Sequence, residues 1–200
     1  MNRQRTLRLL ALTAALVLAL VAVACGDDED EGGGGSGDSE ELTLNGENTV
    51  LTLEEGAVAV LQKKKVQVAP VEPAAPDAPA GIRFPITGGT VNSESLAGSI
   101  AHSGGLRFRV GGETLVVTDF VANTETGVLT AAAGAARIPL LALDLAAVKR
   151  STRGGAIVAS GIAASLTPDA ANAMNGILAV NFFAEGLALG ELTVTATAAS

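Results

Sequence analysis

The chain has 200 residues, with 13 Lys+Arg against 21 Asp+Glu for a net charge of −8, and only 2% aromatic residues: five Phe, no Trp and no Tyr. One His and one Cys are the only side chains of their kind. Zinc clusters, cysteine-pair redox centres and aromatic base-stacking platforms are therefore excluded, and the acidic balance argues against nucleic acid as a partner.

Arg3, Arg5 and Arg8 precede an apolar run from Leu9 to Ala24, interrupted only by Thr13, and the run ends at Ala22-Val23-Ala24-Cys25-Gly26. A charged start, an apolar stretch and small residues before a break form a secretory signal, and the run is short of the ~20 residues that a membrane span needs. Cys25 stands where a bacterial lipoprotein signal carries the cysteine that becomes diacylated. The sequence thus predicts a signal peptide over 1–24 and a lipid anchor on Cys25, placing the protein outside the cytoplasm at the cell membrane. Removal of 1–24 takes three Arg and no acid, so the mature charge becomes 10 − 21 = −11.

Residues 26–41 read GDDEDEGGGGSGDSEE, and eight acids lie within Asp27–Glu41. Without apolar content such a segment cannot offset the entropy of ordering, so residues 25–41 are expected to form the lipidated start and a disordered acidic tether. Asp27, Glu29, Glu31, Gly32 and Asp38 fall at calcium-loop offsets, but the final bidentate Glu is missing and no helices flank them. A solvated linker is the better reading.

Residues 42–80 are expected to form a helix-strand extension and a Pro-rich strap. Thr52 and Glu55 have capping-box spacing ahead of Ala57, Val58, Val60 and Leu61, which predicts a short helix over 53–64 with Lys63, Lys64 and Lys65 at its C-terminus. Val66 and Val68 alternate as in a strand. Pro70, Pro73, Pro76 and Pro79 recur every third residue, the period of a polyproline II helix, and predict a semi-rigid strap along the domain.

From 81 to 200 the pattern is strand after strand broken by Gly pairs. Leu106-Arg107-Phe108-Arg109-Val110 alternates strictly before Gly111-Gly112, and a two-residue turn there pairs Phe108 with Leu115 and Leu106 with Val117. Arg107 and Arg109 then lie on an exposed face. Further strands are expected over Val116–Val121, Val128–Ala132, Ile138–Leu145, Ile157–Leu166, Leu178–Phe183 and Leu192–Ala196, with turns at Asn123–Gly127 and Lys149–Gly155. Thr167 as N-cap, Pro168 and Asp169 predict a second helix to Asn175, stopped by Gly176. The fold class is all-β, a mainly antiparallel sandwich or barrel with one or two short helices.

The stretch Gly98-Ser99-Ile100-Ala101-His102-Ser103-Gly104-Gly105-Leu106, the later Leu166-Thr167-Pro168-Asp169-Ala170-Ala171 and Phe183-Ala184-Glu185-Gly186-Leu187 together resemble the HtaA-type domain of actinobacterial haem-uptake proteins. The likeness covers roughly 85–198. It implies a β-rich extracytoplasmic module that binds haem through a tyrosine, with a histidine nearby supporting the site. His102 falls in the family's Gly-His-x-Gly turn, but no tyrosine exists in the chain.

No nucleophile elbow, phosphate loop or metal-ligand spacing is present. Asp119 and Asp144 flank apolar strands and could form a carboxylate pair only if the sheet joins them. The expected function is a non-enzymatic, lipid-anchored envelope module that binds a protein, polymer or small apolar ligand, without a cofactor. The alternative is a haem-binding lipoprotein using His102.

Overall fold

A computed structural model describes residues 40–199. The signal peptide, Cys25 and all but the last two residues of the expected tether lie outside them. Its elements are β1 (Glu41–Leu53), α1 (Glu55–Lys63), β2 (Gln67–Val71), β3 (Ala75–Asp77), β4 (Gly81–Asn92), β5 (Gly98–His102), β6 (Gly105–Val110), β7 (Glu113–Asn123), β8 (Val128–Ala133), β9 (Ala136–Asp144), β10 (Lys149–Arg153), β11 (Ala156–Leu166), α2 (Pro168–Ile177) and β12 (Ala188–Ala198).

Eight strands pair antiparallel in the order β7-β5-β4-β1-β12-β11-β9-β8, and β8 pairs back onto β7 to close a barrel. Closure removes the free edges of those eight staves. The long β7 is shared: Val121–Asn123 pair with β5, whereas Glu113–Thr118 pair with β6 on the same side. β6 carries β2 on its outer edge, β3 pairs β4 and β10 pairs β11. The hairpin at Gly111-Gly112 has the expected register, Phe108 opposite Leu115 and Leu106 opposite Val117, with Arg107 and Arg109 exposed.

The core is aliphatic, as so few aromatics demand. Leu44, Leu51, Ile100, Val117, Leu129, Leu141, Ile162 and Leu192 are buried along the staves, and Phe84 meets Phe120 edge to face with ring centroids 5.1 Å apart. α2 begins at Thr167, whose hydroxyl accepts from Ala170 N–H at 3.1 Å and donates to the Pro139 carbonyl at 2.6 Å. Ala170, Ala171 and Met174 form its buried face.

Several expectations are corrected. Thr52 is not a helix cap but the penultimate residue of β1, and α1 starts from Glu54, which makes no side-chain cap bond. β1 is a stave of the same barrel as 81–198, held on both sides by β4 and β12. The proline strap is instead two short strands: Pro70 pairs with Leu106 in β2, Pro76 pairs with Ile82 in β3, and turns hold Pro73 and Pro79. Pairing to the barrel outweighs the three-residue period. Lys149–Arg153 is a strand rather than a turn, because Gly154-Gly155 alone reverses the chain into β11. Gly176 lies inside α2, which ends one residue later.

Leu178–Phe183 is a loop. The Asn175 side chain accepts from Phe183 N–H at 3.1 Å and donates to its carbonyl at 2.8 Å, satisfying the backbone groups that a strand would have paired. Leu178 and Phe183 are buried, so the apolar run reflects burial without a strand.

Candidate functional site

Thr49 on β1 and His102 on β5 flank β4, where Phe84 and Ile86 are their respective Cα partners. Two strand spacings, about 9.6 Å, separate the flanking backbones, so a contact needs a side chain as long as a histidine. The Thr49 hydroxyl meets His102 Nε2 at 2.7 Å, and Nδ1 lies 3.3 Å from the Phe120 carbonyl. A carbonyl only accepts, so Nδ1 carries the proton and donates. Nε2 is then the acceptor of the Thr49 O–H.

His102 is 5% exposed and Thr49 3% exposed. Burial holds the imidazole down to about 4 from its ordinary 6.5, against the opposing pull of the Phe120 bond. The ring is therefore neutral near pH 7, and both of its nitrogens are engaged. Around it Leu51, Phe84, Phe120, Leu129, Leu141 and Leu192 leave a gap of about 30 Å³, on the scale of a single water. As placed, the pair does not fit a metal macrocycle: Nε2 has no free lone pair and the gap holds no porphyrin.

Asp119 and Asp144 are not brought together. Asp119 accepts from the Thr118 hydroxyl at 2.7 Å, and its carbonyl accepts from Arg137 Nη1 on β9. Asp144 stands seven residues beyond Arg137 on that strand, about 23 Å along it, and its carboxylate accepts from Ala146 N–H at 2.9 Å in a turn. Each is satisfied locally. Among the described residues no group of three His, Cys, Asp or Glu is placed to hold a metal ion.

A larger space escaped the sequence reading. At the end of the barrel where β1 begins, Leu44, Val91, Ile100, Ile157, Ile162 and Val194 help line an apolar cleft of about 180 Å³. Ile100 lies two residues before His102 on β5, and Val194 is the Cα partner of Thr49. The rim is polar. Arg150 on β10 donates to the carbonyls of Glu94, through Nη1, and Ser95, through Nη2 at 2.7 Å, tying β10 to the β4–β5 turn. The only signal for this cleft was apolar alternation in strands far apart in the chain.

The overall fold of this chain is similar to that of three solved structures. This is the HtaA fold. The C-terminal domain of HtaA from Corynebacterium glutamicum superposes with a TM-score of 0.60 at 16% identity, over 79% of this chain and 99% of that one. The N-terminal domain of the same HtaA gives 0.55 at 18% identity, over 76% and 97%. Heme binding protein HtaB from Corynebacterium glutamicum gives 0.50 at 11% identity, over 80% and 96%. No protein-family model matches the sequence, and no curated protein matches it. The HtaA likeness read from the sequence thus agrees with the fold; Gly98–Leu106 and Leu166–Ala171 form β5, the start of β6 and the opening of α2, and Phe183–Leu187 lies in the loop before β12.

Proposed function

We propose that this protein is a non-enzymatic, lipid-anchored binding module of the cell envelope that uses the HtaA fold without tyrosine-mediated haem ligation. The observation that carries the reading is the Thr49–His102 bond. The family resemblance implies a tyrosine supported by a histidine; here the hydroxyl on the histidine belongs to threonine, and the chain has no tyrosine. A threonine hydroxyl stays protonated at neutral pH and is a poor iron ligand, unlike a phenolate. The barrel also holds an apolar cleft, which suits a small apolar ligand.

The anchor rests on the signal pattern and Cys25. Wild-type protein should fractionate with membrane and carry the mass of an acylated N-terminus, and Cys25→Ser should lose both. Unchanged fractionation and mass would remove the anchor.

Haem binding is the second reading, favoured by the likeness in fold to the heme binding protein HtaB. It requires Thr49 to release Nε2. Haemin titration separates the two: under the first reading the Soret band stays that of free haemin. A shifted band that His102→Ala abolishes would establish the second.

A further inference from the structure

Strand β10 decides the charge at the mouth of the cleft. Its register against β11 places Arg150 opposite Ala159 and Thr152 opposite Ile157, and both of those β11 residues line the cleft. Side chains alternate across a strand, so Lys149 and Arg153, opposite Ser160 and Ala156, lie on the other face. Of the three cations on β10, Arg150 alone faces the cleft, and among the described residues it is the only charged side chain in the lining.

The other polar groups there have their protons engaged. Thr124 Oγ1 donates to the Leu96 carbonyl at 2.6 Å and lies 3.2 Å from that of Gly98, and Ser95 Oγ donates to Asn92 Oδ1 at 3.0 Å. Arg150 differs. Of the five N–H donors of a guanidinium, one on Nη1 and one on Nη2 go to the carbonyls of Glu94 and Ser95, which leaves three. Those carbonyls are neutral, so they fix the guanidinium without cancelling its charge. Among the described residues no carboxylate pairs with Arg150; the ion pair there joins Arg83 to Asp77. Glu40, Glu41 and Glu94 stand at the same end of the barrel, but none lines the cleft.

The interior sets the rest of the ligand. Leu44, Val91, Ile100, Ile162 and Val194 are aliphatic, and the space among them is about 180 Å³. Apolar cavities of ~150 Å³ stay dry and admit a six-carbon ring, so the body that fits is compact. The group that meets Arg150 must accept hydrogen bonds and carry negative charge. A carboxylate does both, and its planar pair of oxygens matches the guanidinium fork.

We propose that the cleft binds a monocarboxylic acid with a compact apolar body, about the size of one six-membered ring, the body lying among the aliphatic side chains and the carboxylate on Arg150. The inference deepens the proposed function and rests on its reading of the cleft as the site of a small apolar ligand.

The test is isothermal titration calorimetry of the full-length protein with phenylacetate and with phenylacetamide, its uncharged isostere. Phenylacetate should bind about tenfold or more tighter at low salt, and the preference should shrink as salt is added. Arg150→Gln should bring the two ligands to within about twofold of each other, while phenylacetamide keeps its wild-type affinity because the cleft is intact. Arg153→Gln, on the opposite face of β10, should retain the preference. Leu145→Trp and Val148→Trp, which fill the mouth, should each weaken both ligands about tenfold or more while far-UV circular dichroism stays that of wild type. Equal affinity of wild type for the two ligands, or a preference that survives Arg150→Gln, overturns the inference and leaves the small-ligand reading standing. Binding of neither ligand, or unaltered binding in both folded mouth variants, overturns the inference and that reading together.

Discussion

His102 shows how one buried side chain gives the molecule a pH response. The folded state holds the ring neutral to about 4, whereas in the unfolded chain it protonates near its ordinary 6.5. Between these values the unfolded state binds the extra proton, so stability rises with pH there and is lost as pH falls from 6.5 towards 4. The loss approaches about 3 kcal/mol, from 2.5 pH units at ~1.36 kcal/mol each. Urea unfolding of wild type against a Thr49→Val/His102→Leu double variant, at about pH 7 and pH 4, should show the larger acid loss in wild type. Equal losses would mean that the ring is accessible to protons. Thr49→Val alone should cost about 1–3 kcal/mol near neutral pH, because it orphans Nε2 in the core. His102 was conspicuous in the sequence as a lone histidine in a family-like turn. Its partner was not, since Thr49 lies 53 residues away in a segment that carried no strand expectation.

Backbone constraints join the elements at two places. Between β5 and β6, Gly104 has φ +83°, and a Cβ there would sit 2.4 Å from the Ala74 amide nitrogen. This glycine lets β6 continue the line of β5 along β7 while the β2–β3 turn packs against it. Gly104→Ala should therefore destabilise by about 2 kcal/mol or more, read as a lower urea midpoint. At α2, Thr167 ties the helix start to β9 through Pro139 as well as capping Ala170, so Thr167→Ala should cost about 1–2 kcal/mol, at the upper end for a cap. That helix was legible because capping residues act within one turn of sequence, and so was the Gly111-Gly112 hairpin. Leu178–Phe183 was misread because its polar groups are met by Asn175, a side chain that no strand pattern reveals. The proline period misled for a related reason: β2 and β3 are decided by pairing to β6 and β4.

Over the whole molecule the decisive stave is β1. It bonds to β4 along one side and β12 along the other, so it joins the first half of the barrel to the last strand. Deleting 40–53 should abolish cooperative thermal unfolding followed by far-UV circular dichroism, since it exposes two long strand edges and removes Leu44, Thr49 and Leu51 from the interior. Deleting 1–39 should leave the transition temperature within a few degrees of that of the full chain. A cooperative transition without 40–53 would show that the barrel closes by another pairing.

Composition and short-range pattern determined the all-β class, the aliphatic core, the Gly111-Gly112 hairpin and the second helix, because periodicity, glycine placement and capping chemistry operate over a few residues. The lack of tyrosine was likewise a property of sequence alone. Tertiary structure decided closure into a barrel, the pairing of Thr49 with His102, the separation of Asp119 from Asp144 and the cleft beside the entering chain. Each depends on strand order and register, which bring together residues up to about 150 positions apart, as Leu44 and Ala198 in adjacent staves illustrate. No local pattern encodes such partners; only the closure of the sheet does.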